Sequence, residues 1–153
     1  MNHILESKFN EGEIKPISNL PQSLEINTKN SNYSHYVLDT QKIKPKYDEK
    51  LFQGKIWILV SEDVYSSSEN FAMFSKNTDF ATLVGTNTGG DGGVADPILI
   101  SLPNSGLIVR FSMLYGLNPD GTGNEKYGTT PDILIDEEQD AFDKTIEEIN
   151  RKN

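Results

Sequence analysis

The fold of this chain is decided by residues 55–85, which read KIWILVSEDVYSSSENFAMFSKNTDFATLVG. The continuous β-branched and aliphatic run from Lys55 to Val60 is typical of a strand covered on both faces, and we expect it to be the central strand of a sheet. Apolar residues at helical spacing predict a helix from Ser67 to about Asn77, and Ala81 to Gly85 predicts a second strand. Strand, turn, helix and strand form a βαβ unit, so the sequence predicts an α/β fold.

The regions on either side of this unit add shorter elements. Upstream, Tyr36-Val37-Leu38 indicates a short strand, and Lys42 to Lys50 indicates an irregular crossing. Downstream, Ile98 to Leu102 and Gly106 to Met113 predict two strands joined by a hairpin turn at residues 103–106.

An amphipathic helix is predicted at the end of the chain. Asp136 serves as its N-cap, with Gln139 three residues later. The apolar stripe of this helix consists of Phe142, Ile146 and Ile149. The many acids around it form a solvated face rather than a metal site, because no histidine accompanies them.

Length, charge and cysteine content exclude several classes of protein. With 153 residues the chain has room for one domain and hardly two. Its 14 basic and 23 acidic side chains give a net charge of -9, which argues against nucleic-acid binding. The longest apolar run, Ile56 to Val60, is far shorter than the roughly 18 residues of a membrane span, and we expect no leader. The absence of cysteine excludes disulfides, thiolate nucleophiles and iron–sulfur clusters.

A change in composition places a boundary near residue 50. Residues 1–50 hold seven basic and seven acidic side chains but few aliphatic ones. They are interpreted as a polar extended arm that either belongs to the same domain or is swapped between chains. Residues 51–153 hold seven basic and sixteen acidic side chains, which accounts for the whole net charge.

Candidate chemistry lies at the turn after the first strand, around Ser66. A serine at a tight strand-to-helix turn is displayed to solvent, and the amides of the first helical turn lie where an oxyanion would form. On this segment alone a structural alternative is favoured, since Ser66 and Glu69 fit the N-cap and N3 positions of a capping box, which explains both residues without chemistry. Tyr65 is interpreted as fixing the turn by packing.

Several short motifs follow one another in a fixed order over about residues 54–135. A buried strand leads to Ser66-Ser67-Ser68-Glu69, and after a helix the next strand ends in Gly85-Thr86-Asn87-Thr88-Gly89-Gly90. Further on lie Leu107-Ile108-Val109-Arg110-Phe111, Pro119-Asp120-Gly121 and Gly128-Thr129-Thr130-Pro131-Asp132. In this order the chain resembles the C-terminal-processing or tail-specific serine peptidase family, which includes the tricorn core peptidases. The resemblance implies an α/β crotonase-like or Clp-protease-like spiral fold, here a partial domain with a mixed sheet and flanking helices.

The resemblance also implies roles for individual residues. Ser66 matches the nucleophile, and the amide of Ser67 matches one oxyanion donor. Asp91 stands where the tail-specific branch has a lysine base, whereas Glu125 stands where the tricorn-like branch has a glutamate that orients a histidine. The tricorn-like layout is therefore favoured. Gly89, Gly90 and Asp91 are candidates for substrate binding, since a tight turn there would line the cleft and the segment lacks the pattern of a phosphate or calcium loop.

The base itself has no clear counterpart in the chain. The family's histidine region and its Asp-x-Arg-x-Asn-x-Gly-Gly segment are not found in residues 1–54, which predicts that the sequence is the C-terminal part of a longer enzyme. Of the two histidines, His35 is interpreted as a surface or strand-packing residue, and His3 lies near a frayed terminus.

Two functions therefore stay open. The first is a serine-type peptidase that acts on a peptide or protein, needs no cofactor or metal, and takes its base from an upstream histidine or a partner chain. The second is a non-catalytic fragment of the same fold that binds peptide by strand addition or serves in assembly. Exposed sheet edges predict a homo-oligomer, which strand exchange would complete. For the intact parent, the resemblance favours an exported or envelope location over the cytoplasm.

Overall fold

The computed structural model describes residues 14–20, 33–38, 52–92, 97–112, 114–136 and 138–151. The chain divides into two units, Met1–Gln53 and Gly54–Asn153, and each is described by itself. The irregular crossing predicted for Lys42 to Lys50 lies outside the described residues, as does His3.

The first unit contains a small antiparallel pair. Strand β1 (Ile14–Pro16) pairs with β2 (His35–Val37), with Ile14 opposite Val37. A single 3₁₀ turn, Ile17–Asn19, follows β1. The strand predicted at Tyr36-Val37-Leu38 is present, shifted by one residue toward the N-terminus.

The second unit is built on a three-stranded parallel sheet. Strand β3 (Trp57–Val60) pairs with β4 (Thr82–Gly85), and helix α1 (Ser67–Asn77) connects the two, so the predicted βαβ unit is confirmed. Strand β7 (Ile133–Leu134) lies on the other side of β4. The order is β3-β4-β7, and β4 is the middle strand.

The prediction that the first strand is central is wrong for the described strands. β3 lies at the edge of this sheet, and Leu59 is 44% exposed. A continuous apolar run indicates two apolar faces, but it carries no information about which neighbour pairs with the strand. On the face of the sheet that meets α1, Val60, Ala72 and Leu83 form a small buried cluster.

The antiparallel hairpin predicted downstream is also confirmed. Strand β5 (Ile98–Ser101) pairs with β6 (Ile108–Phe111), with Ile98 opposite Phe111. Gly106 has a φ of 70° in the turn, and its amide donates to the carbonyl of Leu102 at 2.9 Å. Met113, at the end of the predicted second strand, lies outside the described residues. Large apolar side chains on this hairpin are solvent-exposed: Leu99, Ile100, Leu102, Leu107, Ile108, Val109 and Phe111.

Two helices follow the hairpin. The short α2 (Asn124–Tyr127) precedes β7, and α3 (Ala141–Arg151) packs against β3 and β4. The predicted N-cap of α3 is wrong: the Asp140 carboxylate accepts from the amides of Phe142 and Asp143, at 2.8 and 3.0 Å. Asp136 instead closes a separate turn, in which its carbonyl accepts from the Gln139 amide.

The packed face of α3 also differs from the prediction. Phe142 is 60% exposed and Ile146 is exposed, whereas Thr145 and Glu148 are buried. Glu148 accepts from Arg151 at 2.6 Å and pairs with Lys144, and the hydrogen bond from Arg151 lowers the pKa of this carboxyl. One of the acids predicted on a solvated face is therefore buried and paired. None of the helices in the described parts of the chain is long and apolar enough to cross a membrane.

Candidate active site

The turn that carries Ser66 has an unusual backbone. Ser66 has φ 57° and ψ -123°, a region that residues with a Cβ rarely adopt and that costs on the order of 1–3 kcal/mol. Its side chain is exposed and makes no capping hydrogen bond, so the capping-box interpretation is wrong. The amide of Ser66 donates to the carbonyl of Gly90 at 3.1 Å, which anchors the turn to the glycine-rich segment.

The first turn of α1 leaves donors available next to this serine. The amide of Glu69 donates to the Tyr65 carbonyl at 3.4 Å, and that of Asn70 donates to the Ser66 carbonyl at 3.0 Å. The amides of Ser67 and Ser68 have no acceptor among the described residues. These are orphan donors at the positive end of a helix, where a developing negative charge is stabilised.

Tyr65 does not fix the turn through its side chain as predicted. Its ring is 63% exposed, whereas its backbone forms a parallel bridge with Gly90. The Gly89 amide strengthens this contact by donating to the Val64 carbonyl at 2.8 Å.

The glycine-rich segment is a site of close backbone approach. Gly90 is buried with a φ of 81°, and a Cβ there would collide with the carbonyl oxygen of Asn124. Gly89 and Asp91 are exposed on either side, and Asp91 has a φ of 63°. Of the three candidates for substrate binding, Gly90 therefore lies beneath the surface and the other two face solvent.

Glu125 lies on α2, close to this segment. Its backbone carbonyl is 3.1 Å from the position of a Cβ added to Gly90, and its side chain is exposed. Since the Gly90 carbonyl holds the Ser66 amide, one short stretch of backbone contacts both the serine turn and α2. The structure thus brings Ser66, Gly90 and the backbone of Glu125 into one neighbourhood.

A buried carboxylate that the sequence interpretation assigned to a cap lies beneath this neighbourhood. Glu69 is fully buried, and its Oε1 accepts from Asn124 Nδ2 and Thr129 Oγ1, each at 2.6 Å. Its Oε2 has no partner among the described residues. Helical spacing could have identified Glu69, because it precedes the buried Ala72 by three residues and so shares its face.

Asn124 was also missed, and it joins three segments. Its Oδ1 accepts from the Gly92 amide at 2.9 Å, and its Nδ2 donates to Asn118 Oδ1 at 3.0 Å as well as to Glu69. It is fully buried. Only its position next to Glu125 in sequence hinted at a role, and no spacing rule identifies a bridging amide of this kind.

An apolar pocket of about 410 Å³ opens beside the first turn of α1. It is lined by residues from β3, the following turn and α1: Ile58, Leu59, Val60, Val64, Ser67, Ser68, Phe71 and Ala72. The pocket lies beside β3, whose partner among the described strands is β4, and an extended chain along the other edge of β3 would lie next to an apolar recess.

The remaining candidates are placed as follows. His35 is in β2 of the first unit, with its Nδ1 2.9 Å from Ser34 Oγ. Within the described residues, no group of three His, Cys, Asp or Glu side chains could hold a metal ion.

Comparison with known proteins gives the family. No curated protein sequence matches the chain significantly. Two solved structures are similar to 52% of it at 29% identity: mature CPAF, with a TM-score of 0.42, and mature CPAF complexed with lactacystin, with a TM-score of 0.43. The similar part spans only 15% of each of those chains. A family model matches residues 9–135, which confirms the resemblance found in the motifs: the chain belongs to peptidase family S41.

Proposed function

We propose that this chain carries the nucleophile turn of a serine-type peptidase, which hydrolyses peptide bonds through an acyl-enzyme on Ser66. The observation that carries the proposal is the exposed Ser66, held at a φ of 57° beside helix amides that have no acceptor among the described residues. A strained serine with free backbone donors is the arrangement that acyl transfer needs. Membership of peptidase family S41 supports this function.

The chemistry proposed for Ser66 proceeds in two stages. Its Oγ forms a bond to the peptide carbonyl carbon while a base takes the hydroxyl proton. Negative charge develops on the carbonyl oxygen, and the Ser67 amide donates to it. The carbon–nitrogen bond then breaks and the amine leaves with a proton. Water cleaves the resulting ester and restores the serine.

The proposed base is a histidine in the tricorn-like layout, supplied by an upstream segment or a partner chain and oriented by Glu125. An exposed Glu125 on α2, whose backbone lies against Gly90, supports this arrangement. Asp91 does not fit the lysine position of the tail-specific branch, because its carboxylate carries the opposite charge and suits a different task. Gly89, Gly90 and Asp91 are proposed to line the substrate cleft.

A second candidate function is peptide binding without catalysis. Among the described strands, β3 pairs with β4 and has no strand on its other edge. An apolar pocket of about 410 Å³ lies beside β3. An extended peptide added beside β3 would place an apolar side chain in the pocket.

We also propose that the protein forms homo-oligomers, by strand exchange or otherwise, with residues 1–50 as an arm of the same or a neighbouring domain. The exposed apolar hairpin β5–β6 supports this, because large apolar patches on soluble proteins mark contact surfaces.

A fluorophosphonate probe tests the catalytic proposal, with intact mass and peptide mapping as the readout. We expect an adduct on Ser66 that is absent in Ser66→Ala and unchanged in Ser68→Ala, a matched exposed serine two residues further on. Glu125→Gln should slow the labelling without changing the denaturation midpoint.

A folded wild-type chain without an adduct would refute catalysis by this chain. The second candidate would then predict that an extended apolar peptide binds and that Leu59→Lys weakens the binding.

A further inference from the structure

We propose that the side-chain amide of Asn124, backed by buried Glu69, is a positioning group that sets the Ser66 turn, the glycine-rich segment and the Glu125 helix relative to one another. This inference rests on the proposed function for its consequence in catalysis, but its geometric part is measurable without any activity. The network lies beneath the candidate site, and neither residue contacts a substrate in the proposed chemistry.

Every hydrogen-bonding atom of the Asn124 side chain is in use. Its Oδ1 accepts from the Gly92 amide at 2.9 Å, and its Nδ2 donates to Glu69 Oε1 at 2.6 Å and to Asn118 Oδ1 at 3.0 Å. A carboxamide supplies one acceptor oxygen and two donor hydrogens, which is the set these three contacts require. A carboxylate would lack the donors, and an alanine would lack both.

Two of the three side-chain contacts of Asn124 end within three residues of a candidate catalytic or binding residue. Gly92 follows Asp91, and Glu69 is three residues after Ser66 in the same strand-to-helix segment. Asn124 itself precedes Glu125. One buried amide therefore couples the three segments of the candidate site, and a buried amide with all of its hydrogen-bonding groups in use favours one arrangement of those segments.

Glu69 acts in this network as an acceptor. Its Oε1 accepts two hydrogen bonds, whereas Oε2 has no partner among the described residues. A glutamine at this position has the same shape, and its amide oxygen can accept the same two bonds. Glu69→Gln should therefore retain the positioning.

Thr129 provides a matched control. Its hydroxyl donates to the same Glu69 oxygen at 2.6 Å, but among the described residues it makes no hydrogen bond with Asn124 or Gly92. Thr129→Val therefore removes a buried hydrogen bond of equal length while the Asn124 bridge stays intact. A purely structural role for the network would make Thr129→Val and Asn124→Ala equivalent.

The first readout is amide hydrogen exchange of Gly92 in ¹⁵N-glycine-labelled protein, and the second is the rate of fluorophosphonate labelling at Ser66. In Asn124→Ala we expect Gly92 exchange to accelerate by about 10- to 100-fold, because its amide loses its acceptor. We expect Ser66 labelling to slow by about 10- to 100-fold, because a misplacement of about 1 Å can lower a reaction rate roughly 100-fold. Thr129→Val and Glu69→Gln should leave both within about threefold of wild type.

The outcomes separate this inference from the proposed function. Unchanged Gly92 exchange in Asn124→Ala overturns the inference. Where the wild type labels, an unchanged rate of Ser66 labelling in a variant that has lost Gly92 protection also overturns it. If Asn124→Ala does not fold, the Glu69→Gln variant decides. Loss of Gly92 protection in folded Glu69→Gln overturns the acceptor role of Glu69, and retention of Gly92 protection supports it. If the wild type never labels but Gly92 exchange responds as expected, the proposed catalysis fails and the positioning stands.

Discussion

The backbone conformation of Ser66 predicts that this residue lowers the free energy of unfolding of the protein. Ser66 has a φ of 57° and ψ of -123°, which costs about 1–3 kcal/mol for a residue with a Cβ. Ser66→Gly removes that strain, while the greater freedom of glycine in the unfolded chain costs about 0.4–1 kcal/mol. The exposed side chain makes no capping bond, so little else is lost. We expect a net stabilisation of about 0.5–2 kcal/mol.

Urea denaturation measures this effect. For a stabilisation of about 1 kcal/mol and a slope of about 1–3 kcal/mol per molar, the midpoint should rise by roughly 0.3–1 M in Ser66→Gly. Ser66→Ala keeps the Cβ and the strain, so its free energy of unfolding should stay within about 0.5 kcal/mol of wild type. Asp79→Gly is a control at another positive φ, 53°, and should also stabilise the protein.

The opposite pattern would refute this reasoning. A capping serine contributes about 0.5–2 kcal/mol, so Ser66→Ala would then destabilise the protein by that amount. A Ser66→Gly variant less stable than wild type, beside a stabilised Asp79→Gly, would show that the turn at Ser66 is not strained.

Other predictions concern the loop before β7, the exposed turn at Asp120 and the β5–β6 hairpin. The Asp132 Oδ2 accepts from the buried Leu83 amide at 2.8 Å; Asp132→Ala should therefore cost about 1–3 kcal/mol in chemical denaturation, and Asp132→Asn should cost less. The hydrogen bond from the Thr122 hydroxyl, followed by that from its amide, lowers the pKa of Asp120 below its ordinary value of 3.8. This stabilisation is present above pH 3.8 and is lost as the pH falls through the folded pKa, so unfolding curves of wild type and Asp120→Asn should converge in acid. Leu107 is 66% exposed, and Leu107→Lys should reduce self-association in sedimentation velocity while the monomer's unfolding free energy stays within about 0.5 kcal/mol.

Local periodicity was enough to predict most of the elements. The helix expected from Ser67 to about Asn77 has those bounds, and the strands on either side of it pair in parallel. These elements follow from side-chain spacing within one segment. The spacing of apolar residues did not predict that β3 lies at an edge or that Phe142 is exposed. The partner of a strand or of a helix face is set by distant parts of the chain.

The N-cap of the last helix shows a different limit. Asp136 and Asp140 are both good capping residues followed by helix-forming sequence, and only the backbone geometry selects Asp140. Motif order likewise identified the family, but it gave no indication that Glu69 points inward. A carboxylate three residues after a turn suits both a cap and a buried network, and the choice depends on whether Asn124 is present to donate to it.

The buried network beneath Ser66 helps to hold the strained backbone of this residue in place. A strained backbone persists only where its surroundings fix it from several sides. Ser66 donates to Gly90, Gly90 packs on the backbone of Asn124, and Asn124 donates to Glu69, which lies on the helix that Ser66 begins. These contacts form a closed circuit that leads from the serine back to its own helix. Because this circuit holds the Ser66 turn from both ends, a break at Asn124 should relax the backbone of Ser66, although no hydrogen bond joins the two side chains among the described residues.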